Sequence, residues 1–165
     1  MKNILVTICA RGGSKGIPGK NIKEVGGKPL LYYTAKIARQ FADKHGADLI
    51  VSSDSEAILD VARNCGLPTE YKRPAYLADD ICGKPDAIRD AMLWGEAQRG
   101  KQYDMVVDLD VTSPIRTMHD IDQSLEMIEN CPEALTIFSV SPCGRNPYFS
   151  MVQKKENGFY GTVCD

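Results

Sequence analysis

The sequence has no apolar run near the roughly 18 residues that a membrane-spanning helix needs. Met1-Lys2-Asn3 leads straight into a short apolar stretch with no signal-peptide core and no cleavage site. The expectation is a cytoplasmic chain without a membrane partner. There are only two histidines, His45 and His119, and neither stands at metal-ligand spacing from a cysteine, which argues against zinc. The six cysteines (Cys9, Cys65, Cys82, Cys131, Cys143 and Cys164) include no CxxC pair. A chain of 165 residues can bury a core without covalent staples, so they are expected to be reduced and mostly buried small hydrophobes. A net charge of −2 gives no whole-molecule field that would recruit nucleic acid, so any functional cations must be local. Internal repeats and low-complexity tracts are also missing. What remains, 43% hydrophobic and 25% charged, is the composition of an ordinary globular chain of one domain.

Four segments read as strands. Ile4 to Ile8 and Asp48 to Ser53 are short apolar runs rich in β-branched residues, the pattern of strands buried on both faces in a parallel sheet. Tyr103 to Asp110 and Ala134 to Val140 are the third and fourth. Thr69 to Arg73 is a weaker extended candidate. Helices fall between them. Pro29 suits a first turn, Leu30, Thr34, Ile37, Ala38 and Phe41 recur at helical spacing, and Gly46 is a stop. Ser53 and Glu56 have the spacing of a capping box ahead of Ile58, Val61, Ala62 and Cys65. After the irregular stretch Pro74 to Pro85, with its acidic pair Asp79 and Asp80, Asp86 is a candidate cap for a helix carrying Ile88, Ala91, Met92 and Gly95. Thr117 and Asp120 mark the start of the next, with Ile121, Leu125 and Ile128 as its stripe. Alternating strands and helices predict an α/β fold with a mainly parallel sheet. In such sheets ligands bind beyond the carboxyl ends of the strands, which places the loops after Ile8 and after Asp110 at one edge.

The loop after the first strand, Cys9 to Asn21 (CARGGSKGIPGKN), packs four glycines and the cations Arg11, Lys15 and Lys20 into thirteen residues. Glycines let backbone N–H groups line a concavity that suits anions, and the cations add full charge, so a polyphosphate is the natural ligand. It is neither a Walker A motif, since Ser14 and Asn21 stand where glycine and Ser/Thr are required, nor a G-x-G-x-x-G dinucleotide loop. Asp108 and Asp110, two apart on a strand, share a face. Two carboxylates closing an apolar strand need a cation or donors, which makes them candidate Mg²⁺ ligands; the alternative is that one caps the turn before Pro114. Lys84 reads either as a contact to a sugar carboxylate or phosphate, or as a solvated cation before a helix. His119, early in a helix, reads as exposed.

The chain resembles the acylneuraminate cytidylyltransferases, which activate nine-carbon sugar acids. Their signature, A-R-x-x-S-K-G-I/L-P-x-K-N after a strand, is matched by Ala10, Arg11, Ser14, Lys15, Gly16, Ile17, Pro18, Lys20 and Asn21. Gly27-Lys28-Pro29-Leu30, Val51-Ser52-Ser53-Asp54, Arg73-Pro74-Ala75-Tyr76-Leu77-Ala78 and Thr112-Ser113-Pro114-Ile115-Arg116-Thr117 match four further blocks in the same order. The resemblance implies a Rossmann-like nucleotidyltransferase fold, with CTP, a nonulosonic sugar acid and Mg²⁺ as ligands. Arg11, Gly12, Gly13, Ser14, Lys15, Lys20 and Asn21 would hold the nucleotide and Arg73 would help recognise its cytidine end. Arg11, Lys15 and Lys20 would stabilise the transition state. Lys84, Asp110, Thr112, Ser113 and Arg116 are the candidate sugar contacts.

The sequence departs from the sialic acid members in two places. Asp110-Val111 replaces Gln-Pro before the T-S-P block, as in more distant enzymes such as those activating the eight-carbon acid KDO, and Asp80 to Lys84 replaces a serine-rich stretch. Legionaminic and pseudaminic acid are therefore candidate sugars beside sialic acid. The family domain is also longer. Its later acidic pair has no counterpart before Asp165, and residues 142–165 are expected to be only the start of a dimerisation segment of a homodimer. Two rival readings remain: another sugar nucleotidyltransferase such as CMP-KDO synthetase, and a CTP-binding but inactive module.

Overall fold

The computed structural model describes residues 2–79, 81–140, 144, 148 and 151–164. They belong to two compact units, Met1–Gln123 and Ser124–Asp165. The first is built on a parallel sheet of three strands, β1 (Ile4–Cys9), β4 (Asp48–Ser52) and β5 (Met105–Asp108), in the order β4-β1-β5. Central β1 pairs Ile8 with Val51 on one side and Thr7 with Asp108 on the other. Its residues Leu5, Val6, Thr7 and Ile8 have no exposure, which is why the run reads as continuously apolar rather than alternating. A small antiparallel pair, β2 (Glu24–Val25) and β3 (Lys28–Pro29), leads into α1.

The helices lie between the strands as expected. α1 (Leu30–His45) buries Leu31, Thr34, Ala35, Ala38 and Phe41 and stops at Gly46, whose φ is 62°. α2 (Glu56–Asn64) buries Ile58, Leu59 and Ala62, and α3 (Lys84–Arg99) buries Ala87 and Ala91. Leu5, Ile50, Tyr71 and Ala91 form a buried cluster, flanked by Met92, Trp94, Tyr103 and Val106. Leu5 and Ile50 each contribute about 1.5–3 kcal/mol by leaving water. α4 (Met118–Glu129) starts with a reciprocal cap: Asp120 accepts the Thr117 N–H at 2.7 Å, and Thr117 Oγ1 accepts the Asp120 N–H at 3.4 Å.

Several local expectations fail. Ala134 to Val140 forms no strand. Leu135, Phe138 and Val140 are 95%, 77% and 82% exposed, and apolar, β-prone residues make a strand only where a neighbouring ladder takes up their N–H and C=O groups. Residues 69–73 are likewise irregular, although Arg73 N–H donates to the Ser53 carbonyl at 2.9 Å. Pro29 precedes its helix rather than joining it, Ser55 takes the cap position assigned to Ser53, and Gly83 takes the one assigned to Asp86, which lies in the first turn. The Ser53 hydroxyl instead accepts the Ser55 N–H at 3.2 Å, a local turn that competes with capping. Cys9, Cys65, Cys82, Cys131 and Cys164 are free, but Cys131 is exposed and the others only half-buried. Cys143 and Asp80 lie outside the described residues.

The second unit contains an antiparallel hairpin, β6 (Val152–Lys154) with β7 (Tyr160–Thr162), in a stretch where the sequence shows no strand pattern. Val152, Phe159 and Tyr160 are exposed on it. No helix among the described residues is long and apolar enough to cross a membrane.

Candidate active site

Beyond the carboxyl end of β1 the chain enters the glycine loop, and that loop is tied down at its backbone. Gly12 N–H donates to Asp54 Oδ1 at 2.9 Å, just past the end of β4. A side chain at Gly12 would bring a Cβ to 3.0 Å from Ser55 Cβ, so a larger residue would push the loop and Ser55 apart by a few tenths of an ångström. Buried Asn21 donates from Nδ2 to the Arg11 carbonyl at 3.0 Å, closing the loop across ten residues. Gly19, at φ 63°, turns the chain into a short 3-10 turn, Lys20–Ile22. The Arg11 guanidinium donates to the Asp79 carbonyl at 2.7 Å, linking this loop to the segment before α3. Asp79 Oδ1 in turn accepts the N–H groups of Ile81 and Cys82 at 2.9 and 2.6 Å.

Facing this loop is the end of β5. A cleft of about 360 Å³ is lined by Cys9, Arg11, Ser14, Lys15, Gly16, Lys20, Asn21, Asp110, Val111 and Thr112. Two segments about ninety residues apart in sequence thus meet at one sheet edge, as the strand order requires. Thr7, opposite Asp108 in the β1–β5 register, donates from Oγ1 to Asp108 Oδ1 at 2.9 Å. Lys84, the first residue of α3, sets its ammonium between the two acids, 2.5 Å from Asp108 Oδ2 and 2.6 Å from Asp110 Oδ1. Burial alone would lower the Lys84 pKa, but the two carboxylates outweigh it and raise it above the usual lysine range. The Asp110 carbonyl accepts from Arg116 Nη2 at 2.5 Å and from Thr34 Oγ1 at 3.2 Å. Half-buried Arg116 is lowered by that burial, against the opposing pull of Asp110 and Asp108, and its Nη1 is buried without a hydrogen-bond partner.

The cleft gathers Arg11, Ser14, Lys15, Lys20, Asn21, Asp110 and Thr112 of the residues singled out in the sequence. Gly12 and Gly13 belong to the same loop without lining the cleft; Asp108, Lys84 and Arg116 sit behind Asp110 through the contacts above, and Ser113 N–H closes a turn on the Asp110 carbonyl at 3.4 Å. Arg73 is not a lining residue. It is 6% exposed and donates from Nε to Ser52 Oγ at 2.9 Å and from Nη2 to the Ser52 carbonyl at 2.8 Å. Among the described residues no group of three or more His, Cys, Asp or Glu side chains could hold a metal ion.

Sequence reasoning missed four supporting residues. Asp54 holds the loop backbone, the Asp79 carbonyl holds the Arg11 guanidinium, Thr7 orients Asp108, and Cys9 lines the cleft. Burial, reinforced by the Asp108 carboxylate, pushes the Cys9 thiol up to about 11, against the lowering effects of Arg73, Lys84 and a hydrogen bond from Ser52. Asp54 stands in the V-S-S-D block, the one available signal; the others depend on strand register and loop packing.

The cytidylyltransferase family profile matches residues 5–156. The chain belongs to the cytidylyltransferase family. It is 37% identical over 159 residues to post-translational flagellin modification protein B of Campylobacter coli, covering 94% of this chain and 65% of that protein. It is 35% identical over 157 residues to CMP-N,N'-diacetyllegionaminic acid synthase of Campylobacter jejuni, covering 95% and 66%. The chain therefore spans about two thirds of the length of these curated relatives. Among solved structures, a CMP:2-keto-3-deoxy-manno-octonic acid synthetase complexed with CTP aligns with a TM-score of 0.60 at 20% identity, over 79% of this chain and 49% of that one. The fold of this cytidylyltransferase is thus the nucleotidyltransferase fold, a parallel sheet flanked by helices, as the sequence led one to expect.

Proposed function

We propose that this cytidylyltransferase transfers CMP from CTP to the anomeric hydroxyl of a nonulosonic sugar acid and releases pyrophosphate. The supporting observation is the cleft itself, which sets the cations Arg11, Lys15 and Lys20 opposite Asp110 and Thr112. The named activity of the Campylobacter jejuni relative points to an acid of the diacetyllegionaminic type. In this reading the anomeric oxygen bonds to the α-phosphorus of CTP as the bond to pyrophosphate breaks. Lys15, Lys20 and Arg11 meet the charge that builds on the leaving pyrophosphate, where fixed donors stabilise a transition state more than a ground state. Loop N–H groups add to this without reorganising, because Asn21 and Asp54 already fix the loop backbone. Ser113 and Arg116 act on the sugar side.

Asp108 and Asp110 are the residues to hold Mg²⁺. They converge on a single cationic point, the Lys84 ammonium, and two carboxylates plus substrate phosphates are the hard-oxygen set that Mg²⁺ takes. When bound, Mg²⁺ neutralises charge on the phosphate oxygens. Exposed apolar residues on the hairpin, Val152, Phe159 and Tyr160, support pairing with a second copy through residues 142–165, and the enzyme is expected to act in the cytoplasm.

The test is pyrophosphate release by the chain with CTP and Mg²⁺ against a panel of diacetyllegionaminic, pseudaminic, sialic and KDO acids, and with the other nucleoside triphosphates. Release is expected with CTP and a nonulosonic acid. Lys15→Ala should lower it by about 10²–10³-fold with an unchanged circular dichroism spectrum. Near-normal release by that variant overturns the proposal.

A further inference from the structure

Lys84 occupies an unusual place for a lysine. As the first residue of α3 it puts a cation at the positive end of a helix, where an anion is favoured. What holds it there is the acidic pair. Asp108 is the fixed member, 19% exposed and braced by Thr7, whereas the Asp110 side chain is 56% exposed and can swing. The ammonium touches one oxygen of each. The same oxygens cannot also close on a divalent ion without driving two cations against each other.

We propose that Lys84 is a resident counter-cation that a divalent ion must displace. This rests on the reading of Asp108 and Asp110 as the Mg²⁺ ligands. In the nucleotide-free chain the lysine offsets one of the pair's two charges, holds an oxygen of each carboxylate and keeps divalent affinity low. Once displaced, the ammonium needs an anion, and a nucleotide phosphate in the adjoining cleft supplies one. Cation uptake is thereby coupled to nucleotide uptake, and Lys84 passes from the carboxylates to the substrate as the metal arrives.

The test is Mn²⁺ binding to the nucleotide-free 165-residue chain, followed by electron paramagnetic resonance. Lys84→Met should bind Mn²⁺ about tenfold more tightly than wild type. Lys84→Arg should stay weak, and Asp110→Asn in the Lys84→Met background should erase the gain. Adding CTP should narrow the gap between wild type and Lys84→Met. Equal Mn²⁺ affinity of wild type and Lys84→Met, lost on Asp110→Asn, overturns the inference and leaves the metal reading standing. Absence of Mn²⁺ binding from every variant, with or without CTP, overturns both. A second measurement needs no variant: reductive methylation of wild type, read by mass spectrometry. Lys84 should label faster in saturating Mg²⁺ than without it, relative to the exposed Lys72. An unchanged Lys84 rate also overturns the inference.

Discussion

On the loop wall of the cleft it is backbone that is fixed, through Gly12 N–H on Asp54 and the Arg11 carbonyl on Asn21, whereas on the acid wall it is side chains, with Asp108 and Asp110 closed on Lys84. The loop wall is ready for an anion before one arrives. The acid wall is closed on its own lysine and has to open. A site that binds a polyphosphate together with a cation gains from this asymmetry: preorganised donors bind first, and the carboxylates are released only when an anion can take their lysine.

Cys9 sits where the walls join and reports on the acid wall. With its thiol pushed up to about 11, only about one molecule in a thousand carries the thiolate at pH 8. Its rate of alkylation by iodoacetamide should keep rising with unit slope through pH 9 and 10. At pH 8 Cys9 should react about 10²–10³-fold more slowly than exposed Cys131, read by peptide mass spectrometry. A Cys9 rate that levels off near pH 8.5 would mean that its surroundings are wetter and more cationic than described, and the contrast between the walls would weaken.

Asn21→Ala attacks the loop wall. Asn21 is 7% exposed, and its amide carries the link from Lys20 back to Arg11. Losing that bond costs about 1–1.5 kcal/mol of loop order, so CTP should bind about tenfold less tightly by calorimetry. Divalent binding by the nucleotide-free chain should not change. Equal CTP affinity would show that the loop is held by Gly12 and Asp54 without this link.

The frame of this site was legible because it depends on local pattern. Leu5 to Ile8 and Leu49 to Val51 are buried on both sides of the sheet and look it, and Gly46 marks the end of α1. Strand order then carried the glycine loop and Asp110 to one edge. What was not legible depends on contacts between distant residues. Nothing near Lys84 in sequence points to Asp108 or Asp110, and as a charge before a helix it reads equally well as solvated. Arg73 reads as a ligand contact from its block, yet its guanidinium is spent on Ser52 at the end of β4. Residues 134–140 have strand composition without a paired neighbour, and no local signal tells the two situations apart.

The smallest predicted effect divides bracing from ligation on the acid wall. Thr7 is fully buried, and its backbone already serves the sheet, with its carbonyl accepting the Leu109 N–H at 2.9 Å. Thr7→Val keeps the shape and the β-branch and removes only the hydroxyl that donates to Asp108. Because Asp108 is 19% exposed, water can take up the freed oxygen, so stability should fall by about 1 kcal/mol in urea unfolding, with an unchanged m-value. The informative measurement is Mn²⁺ affinity in the Lys84→Met background. If Thr7 holds Asp108 in the position that a cation uses, adding Thr7→Val should weaken Mn²⁺ several-fold. If affinity holds while stability falls, Thr7 braces the strand pair alone, and Asp108 keeps the position that a cation uses with neither the Thr7 hydroxyl nor the Lys84 ammonium.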